Sequence, residues 1–549
     1  MDSEKDSRVS VRIDNVASNL EGYIHSDQTV RRLKSRHLHW IGIGGTIGTA
    51  LFLQIGYVLP HGGPGSLLLA FVFWSTVMLS INNCLAEMVS WIPISSPFIR
   101  FADRFVDPAL GFCAGINFFL YPAILVPFEI AAFELMIHFW TKKIPTAVVI
   151  VVVLACYVAL NVFAVRFYGE SEFWLAIGKI ILALGLLLFT FITMLGGNPL
   201  HDRFGFRNWD SSKVPGTPFV EYQKTGSTGR FLGFLSCLLQ AVFTMCGPEF
   251  VSMTAGEAEN PRTTLPQTFK GVYTRVTTFF ILRALSVGIL LPYSDPNLQL
   301  ALSDPKPGAG SSPYVIAMQN MNIPYKFSWP LPHIVNALIM LSIFSAGNSY
   351  IFCASRTLYG MALQRRLPRF LTRCMQNGVP IYCVGIAILV ALLAFLQVSN
   401  NMVKVLEWFV SLTVATQVIN YAIVTFTYLR FYYALKAQGI PWSSLPFRGP
   451  LQPFCGYYTF AFTLIMPFVL RYSVFMPGNW DTTTFFFSYT IIGVLPILFI
   501  VWKVLHHTRL IRPKEVAFFE EERKIIDDYE ALFVSAKSRM DMFKKWVIG

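Results

Sequence analysis

Among the ionisable residues inside the long apolar stretches of this sequence, where charge is rare, five are candidates for a functional role. Four are glutamates and one is a lysine: Glu87, Glu129, Glu134, Lys179 and Glu249. A charged side chain near the centre of a bilayer costs about 2.5–3.5 kcal/mol even on lenient scales, so such residues mark ion pathways, proton relays or substrate contacts. Each of the five is therefore a candidate for binding or for proton transfer.

Lys179 and Glu129 stand out among these residues. Lys179 lies in FWLAIGKIILALG, one or two turns inside an apolar helix. An ammonium there would either neutralise a carboxylate or lose its proton when desolvated. In either case the lysine would take the place of a sodium ion and couple transport to protons. The alternative is that the lysine side chain extends to the near membrane interface and has no such role. Glu129 follows two prolines in a helix that we expect to be distorted, where it would meet a cationic group of a substrate, exchange a proton, or form only a structural hydrogen bond. Structural roles are expected for Glu87 and Glu134.

Two glycine-containing segments interrupt apolar runs that lie five spans apart. GIGGTIGT covers 42–49 and MCGP covers 245–248. Because five is an odd number, the two helices cross the membrane in opposite directions, as in a five-plus-five inverted repeat. For the first segment alone, helix packing through the G-x-x-x-G of Gly44 and Gly48 is the alternative. A dinucleotide-binding loop is excluded because the third glycine of G-x-G-x-x-G would fall on Ile47.

Broken helices inside a bilayer have a specific chemical consequence. Unwound backbone leaves N–H and C=O groups unpaired, which is tolerated only where the break lines a cavity enclosed by protein. The break also presents the positive N-terminal end of one half-helix and the negative C-terminal end of the other. A zwitterion has complementary charges, with a carboxylate for the N–H groups around Thr46–Thr49 and an ammonium for the carbonyls of both breaks. The two breaks together therefore predict a site for a small zwitterion such as an amino acid.

The elements that position these residues are membrane helices. Of the 549 residues, 54% are hydrophobic and 14% are charged, against about 25% charged in a soluble protein. One span needs ~20 mostly apolar residues, and the charge-poor runs predict twelve: 40–60, 66–92, 111–140, 146–165, 172–195, 232–254, 274–293, 331–353, 380–398, 406–430, 452–474 and 484–505. The predicted fold is an all-α polytopic membrane protein with twelve transmembrane helices in a five-plus-five inverted repeat, of which the first and sixth are discontinuous.

Charge distribution gives the orientation. Basic residues cluster before the first span, between the eighth and ninth spans, and after the twelfth: Arg31, Arg32, Lys34, Arg36, Arg356, Arg365, Arg366, Arg369, Arg373, Arg509, Arg512 and Lys514. Such short basic segments stay cytoplasmic, so both termini are predicted there. The net charge of +13 is mostly this bias and gives little support to a nucleic-acid partner.

Several other classes of protein find no support in the sequence. Residues 1–36 contain no apolar core, so no cleavable signal peptide is predicted. The nine cysteines form no C-x-x-C pair and indicate neither a disulfide framework nor a zinc site. We find no metal-ligand cluster, nucleophile elbow or phosphate loop, so neither an enzyme nor a cofactor is predicted.

The chain divides into three regions. Residues 1–36 are predicted to be a disordered cytoplasmic N-terminus, 37–508 the twelve-helix transporter domain, and 509–549 a cytoplasmic C-terminal tail. In the tail, FFEEE at 518–522 and the apolar residues that follow it fit an amphipathic helix. Such a helix either lies in solvent or along the membrane surface, or has a regulatory role.

Six segments together carry a family resemblance. They are RRLKSRHLHWIGIGGTIGTALFLQIG, AEMVSWIPISSPFIRFADRFVDPALGF, YGESEFWLAIGK, FTMCGPEFVSMTAGEAENPR, SAGNSYIFCASRTLYGMAL and NGVPIY. From about residue 31 to residue 515 the sequence resembles the fungal amino-acid permeases of the amino acid–polyamine–organocation superfamily. The resemblance implies a proton-driven amino-acid importer of the plasma membrane with the inverted-repeat fold. It also implies substrate contacts or proton coupling for particular residues, namely Thr46, Ile47, Gly48, Thr49, Glu129, Lys179, Phe243, Gly247 and Glu249.

Departures from the family pattern concern the walls of the expected site. Ala50 replaces a glycine after TIGT, AEM stands at 86–88 where G-E-M is usual, GINFF replaces the third-span tryptophans, and CGP at 246–248 stiffens the second break. GGPGSLLLAF, PFEI, ITMLGGNP with HDRFGFRNW, and PGAGSSPYVIAM resemble a branch associated with uptake of general amino acids, carnitine and polyamines. Carnitine has a quaternary ammonium that aromatic rings such as Phe118, Phe119 or Phe243 would hold by cation–π contact.

Two functions follow from the sequence. The first is proton-coupled uptake of amino acids or related zwitterions, carnitine among them, across the plasma membrane. The second is a nutrient sensor or regulator of carnitine or polyamine uptake with little transport of its own, which the long charged tail suggests. The expected partners are a small zwitterionic substrate, protons and the lipid bilayer.

Overall fold

The computed structural model describes residues 48–94, 96–141, 143–163, 165–246, 248–253, 255–258, 260–303, 312–323, 331–375, 378–399, 402–469, 471–518, 524 and 526–527. Three residues of the predicted site, Thr46, Ile47 and Gly247, lie outside the described residues. The predicted N-terminal region 1–36 and most of the predicted tail helix also lie outside them.

Every regular element of the described chain is helical. The spans other than the first and sixth are Leu59–Trp91, which is kinked at Gly63 (second), Pro108–Ile137 (third), Thr146–Val162 (fourth), Val165–Met194 (fifth), Pro261–Arg275 with the π turn Val276–Ile281 and Leu282–Leu290 (seventh), Leu331–Leu363 (eighth), Ile381–Ala391 with Leu396–Ser399 (ninth), Met402–Ala437 (tenth), Phe454–Val469 (eleventh) and Thr482–His506 (twelfth). Short helices outside the spans are Pro97–Phe105, Pro296–Ser303 and Pro313–Asn320.

The predicted number of spans agrees with this architecture. Nine helices of the described chain are long and apolar enough to cross a membrane. The fourth span is a shorter apolar helix of 17 residues, the sixth span is divided into Gly226–Thr244 and Pro248–Met253, and the first span is described only from residue 48 onwards. The chain is therefore an all-α polytopic membrane protein of twelve spans.

Two span boundaries differ clearly from the predicted ones. The seventh span begins at Pro261 rather than at 274, and the eighth ends at Leu363 rather than at 353. Both added segments are polar and still helical. Hydropathy identifies the part of a helix that lies in hydrocarbon, so it does not detect a helical extension beyond it.

The most enclosed helix is the third span. Of its most apolar window 78% is buried inside the protein, against 17% for the twelfth span. The third span also remains one continuous helix across Pro122 and Pro127. It therefore stands at the centre of the bundle, whereas the twelfth faces lipid over most of its surface.

The outer loop between the fifth and sixth spans is fastened to the start of the second span. The Gly65 N–H donates to the Pro218 carbonyl at 2.9 Å, and the Val220 N–H donates to the Gly62 carbonyl at 3.0 Å. Gly63 has φ of +73°, a conformation that side chains strongly disfavour. The sixth span follows this loop in the chain, so the hydrogen bonds at the kink hold the start of the sixth span beside the second span.

Candidate functional site

The sixth span is interrupted at the predicted position. Its outer helix, Gly226–Thr244, stops at Met245, which has extended backbone angles, and the helix resumes at Pro248–Met253. Gln417 of the tenth span donates from Nε2 to the Met245 carbonyl at 3.2 Å. A carbonyl released by the break is thus paired inside the protein, as the absence of water in a bilayer requires.

The described part of the first span begins at its own break. Gly48 has extended angles, and a short helix Thr49–Phe52 follows it and continues into the 3₁₀ turn Gln54–Val58. Thr49 is fully buried. The N-terminal end of this outer half-helix therefore lies inside the bundle, where its free N–H groups are positive.

Glu129 lies where the first, third, fifth and eighth spans meet. Its carboxylate accepts a hydrogen bond from the Thr49 hydroxyl, and it interacts electrostatically with Lys179. A Cβ built on Gly48 would be 3.9 Å from the Glu129 carboxylate and 4.0 Å from the Tyr350 hydroxyl. Glu129 is 1% exposed, so its partners are protein groups rather than bulk water.

Lys179 is buried as well, with 2% of its surface exposed. This burial excludes the alternative in which the Lys179 side chain extends to the membrane interface. The fifth-span lysine and the third-span glutamate, 50 positions apart in the sequence, instead belong to one electrostatic cluster.

A small internal cavity of about 20 Å³ lies next to this cluster. It is lined by Gly48, Thr49, Ala50, Tyr121, Leu125, Phe128, Glu129, Phe243, Thr244, Cys246 and Tyr350. Four of the predicted site residues, Gly48, Thr49, Glu129 and Phe243, therefore share one cavity. A space of this size holds about one water molecule, so an amino acid enters only when the surrounding helices move apart.

Glu249 was predicted to contribute to the same site as Glu129, but in the structure it lies beside a different cavity. It borders a second cavity, of about 10 Å³, together with Phe118, Gln417 and Tyr421. The Tyr421 hydroxyl lies 3.1 Å from both carboxylate oxygens of Glu249. Among the described lining residues, Tyr121 is the one that both cavities share, so its ring lies between Glu249 and the space beside Glu129.

The aromatic residues around the first cavity differ from those expected. Phe243 lines it and packs against Phe128 with ring centroids 5.1 Å apart. Phe118 lines the second cavity instead, and Phe119 is among the lining residues of neither. The rings that face the first cavity are therefore Phe128, Phe243 and the two tyrosines at 121 and 350.

Glu87 lies in a structural network. Its carboxylate accepts from the Tyr428 hydroxyl at 2.6 Å, the Gly449 N–H at 2.7 Å and the Trp442 indole at 3.2 Å. These bonds join the second span to the tenth span and to the loop that follows it. Glu134, which is fully buried, lies 3.7 Å from His138 of its own helix.

Several residues of the site region have no distinguishing signal in the sequence. Tyr121 and Tyr350 sit among other aromatic residues in apolar helices, and only their packing shows that they border the cavity. Arg275 and Arg283 of the seventh span are different, because both are buried cations, 7% and 0% exposed. The boundary predicted at 274 placed Arg275 at a helix end, whereas Arg283 lies well inside the predicted span and is as unusual there as Lys179.

A twelve-span bundle with two interrupted helices beside a buried polar cavity defines a membrane transporter. The model of the amino acid permease family matches residues 37–515. The general amino acid permease AGP2 of Saccharomyces cerevisiae is 43% identical over 91% of this chain and 84% of its own length. The proline-specific permease of Emericella nidulans is 37% identical over 92% and 91%, and the basic amino-acid permease of Saccharomyces cerevisiae is 34% identical over 93% and 87%.

This chain therefore belongs to the amino acid permease family, whose members are transporters and not enzymes. A crystal structure of a manganese transporter from Eremococcus coleocola has the same overall fold, with a TM-score of 0.51 over 85% of this chain and 94% of that one. At 13% identity the likeness concerns the fold alone.

Proposed function

We propose that this permease imports amino acids or related zwitterions, carnitine among them, across the plasma membrane and that protons drive the import. The observation that carries the proposal is the buried cluster of Thr49, Glu129 and Lys179 beside the two helix breaks. It provides a carboxylate that can hold a proton and an ammonium at the place where another transporter would need a metal cation.

The two breaks bind the two ends of the substrate. The N–H groups at the start of the outer first-span helix, from Gly48 to Ala50, take the carboxylate, since a helix N-terminus attracts anions. The released carbonyls of the breaks take the ammonium. Glu129 then carries the coupled proton, and Lys179 supplies the fixed positive charge beside it.

The aromatic residues that line the cavity are relevant to the binding of carnitine. Its quaternary ammonium has no N–H to donate, so ring faces rather than carbonyls would hold it. Tyr121, Phe128, Phe243 and Tyr350 supply such faces around the cavity. The same wall accepts apolar amino-acid side chains, so these rings do not choose between the two classes of substrate.

Transport by the purified protein tests this proposal. Proteoliposomes receive an inward proton gradient, an inward sodium gradient of equal size, or no gradient, and the labelled compounds are the twenty amino acids, L-carnitine and spermidine. We expect accumulation of at least one zwitterion under the proton gradient alone, and loss of that accumulation with a protonophore. Failure of every compound to accumulate, or accumulation driven by sodium, would contradict the proposal.

The sensor alternative has one structural observation in its favour. The described part of the tail packs on the cytoplasmic face instead of leaving it: the Ile511 N–H donates to the Val106 carbonyl at 2.9 Å, and Phe518 is 4% exposed. Its further contacts are Phe518 with Phe105 and Phe431, Gln438 with the carbonyls of Pro513 and Val516, and the ion pair of Arg262 with Asp527. The tail thus contacts the seventh and tenth spans and can report their positions.

Truncation of the tail separates the two functions. Deletion of 511–549 removes buried packing, so a shorter deletion of 528–549 and the single variant Arg262→Ala are the better tools. A transporter keeps its uptake in proteoliposomes with either change. A sensor shows no uptake even as the full chain, and in cells the same changes abolish its control over uptake by other permeases.

A further inference from the structure

A third cavity, of about 410 Å³, lies at the end of the bundle that is predicted to face outward. Its walls come from the start of the second span, the loop before the sixth span, the outer helix of the sixth span, the start of the tenth span and the loop between the eleventh and twelfth spans. Small-molecule sites in proteins measure about 300–1,000 Å³. This cavity is therefore already large enough for an amino acid, and among the residues that the structure describes it shares no lining residue with the space beside Glu129.

Four charged side chains line this outer cavity, and they form one closed pair and one open pair. Lys404 and Asp481 form an ion pair at 3.1 Å. Glu407 and Arg471 border the same space, but within the described part of the chain no ion pair joins them to each other or to another residue. The cavity thus contains a carboxylate and a guanidinium that are farther apart than an ion pair allows.

The open pair is complementary to the two ends of an amino acid. The Nη2 atom of Arg471 donates to the main-chain carbonyl of Glu407 at 3.2 Å, which fixes the guanidinium at the cavity wall and leaves its Nη1 atom without a partner among the described residues. A guanidinium matches a carboxylate through charge-assisted hydrogen bonds. The Glu407 side chain is exposed, so its carboxylate is accessible to an ammonium. A zwitterion between the two residues would close the open pair at both ends.

The rest of the wall is mostly polar. His61 Nδ1 lies 2.9 Å from the Ser236 hydroxyl, and its ring stacks on that of Tyr222 with centroids 4.3 Å apart. These contacts fix the second span, the sixth span and the loop between the fifth and sixth spans against one another. Ser473 and Asn479 add a hydroxyl and an amide from the opposite loop. Such a wall favours a polar, uncharged side chain, whereas the rings around the smaller cavity accept apolar ones.

We propose that the outer cavity is a second amino-acid site, separate from the transport site, which binds a polar, uncharged amino acid such as glutamine. Arg471 holds the carboxylate of this ligand, Glu407 holds its ammonium, and the hydroxyl and amide groups of the wall hold its side chain. The site adjoins the transport path through the outer helix of the sixth span: Leu239 lines the outer cavity, and Phe243, one turn further on, lines the smaller one. Binding at this site does not require transport, so it is tested independently of the function proposed above.

Equilibrium dialysis of the purified full-length protein tests the site. The labelled probes are L-glutamine, L-glutaminamide, which lacks the carboxylate, and N-acetyl-L-glutamine, which lacks the ammonium. We expect Arg471→Gln to weaken binding of L-glutamine by about 10- to 100-fold, the range for hydrogen bonds to charged groups, and to remove the preference for L-glutamine over L-glutaminamide. Glu407→Gln should weaken L-glutamine similarly and remove the preference over N-acetyl-L-glutamine. Arg230→Gln is the matched control, because Arg230 is an exposed arginine of the outer sixth-span helix that pairs with Glu221 at 3.7 Å and does not line the cavity.

The remaining outcomes are also decisive. The Glu407 side chain is exposed, so Glu407→Gln carries the test by itself if Arg471→Gln does not fold. Equal weakening of all three probes would assign the two residues a structural role and overturn the inference. Binding of L-glutamine that both variants leave unchanged would belong to another cavity and would overturn it as well. Wild-type protein that binds no L-glutamine has the same consequence for this site, while accumulation in proteoliposomes decides the transport proposal separately.

Discussion

Replacing Glu129 and Lys179 singly and together measures whether the interaction between the two side chains contributes to the free energy of unfolding. Both side chains are buried, 1% and 2% exposed, and they interact electrostatically. Glu129→Gln removes the carboxylate with which the ammonium interacts, and Lys179→Met removes the ammonium with which the carboxylate interacts. Each single change is expected to destabilise the protein by about 3–5 kcal/mol. The double change removes both charges and costs less than the sum, with a coupling energy of about 1–3 kcal/mol.

Unfolding of the detergent-solubilised protein in sodium dodecyl sulfate provides the assay. Glu134→Gln is the matched control, because Glu134 is a fully buried glutamate of the same helix that does not line the cavity. Its combination with Lys179→Met should be additive. Additivity of the Glu129→Gln and Lys179→Met pair would refute the pairing.

The same variants separate the two roles assigned to Glu129. Exchange of labelled for unlabelled substrate across the membrane needs no net movement of protons, whereas accumulation under a proton gradient does. If Glu129 carries the proton, Glu129→Gln keeps exchange and loses accumulation. Loss of both would instead assign Glu129 to substrate binding.

Four further predictions concern packing, hydrogen bonding and pH. A Cβ on Gly48 would lie 3.7–4.0 Å from its neighbours, which are ordinary contact distances, so Gly48→Ala should fold and should raise the KM of large substrates more than that of small ones. A Cβ on Gly347 would lie far inside contact distance of a neighbouring side chain. Gly347→Ala should therefore lower the yield of folded protein in size-exclusion chromatography. Gln417→Leu leaves the Met245 carbonyl unpaired and should destabilise the protein by about 1–3 kcal/mol, measured by the same unfolding assay. Burial alone would raise the pKa of Asp107, which immediately precedes the third span, but its hydrogen bonds, led by that from a lysine, hold the pKa below the usual value. This stabilisation is complete above pH about 4 and is lost as the pH falls below that. The difference in melting temperature between the wild type and Asp107→Asn should therefore stay constant from pH 5 to pH 8 and shrink only in stronger acid.

The sequence anticipated the parts of the site that depend on residue type. Glycine and proline weaken a helix wherever they occur, so the break before Pro248 could be located without coordinates, as could the extended backbone at Gly48. A charge in an apolar run is unusual in any fold, so Glu129 and Lys179 stood out together. The roles of these residues in substrate binding and proton coupling remain predictions.

The cavity that each side chain borders could not be predicted in the same way. Glu249 and Phe243 lie on either side of one short break, yet they border different cavities, because the unwound residues between them set how the inner half-helix is rotated. Tyr350 reaches the cavity from the eighth span only because the third and eighth spans pack together. Sequence spacing carries neither the rotation of a helix about its axis nor the identity of its neighbours.

By itself the sequence determined that this chain crosses the membrane twelve times, that two antiparallel spans are interrupted, and which buried charges are unusual, since each of these follows from local composition. Only the tertiary structure decided that Glu129 and Lys179 share one cluster and that Glu249 borders a different cavity from Glu129. Those outcomes depend on contacts between residues distant in the chain. Close packing of whole helices fixes such contacts, and no single segment encodes them.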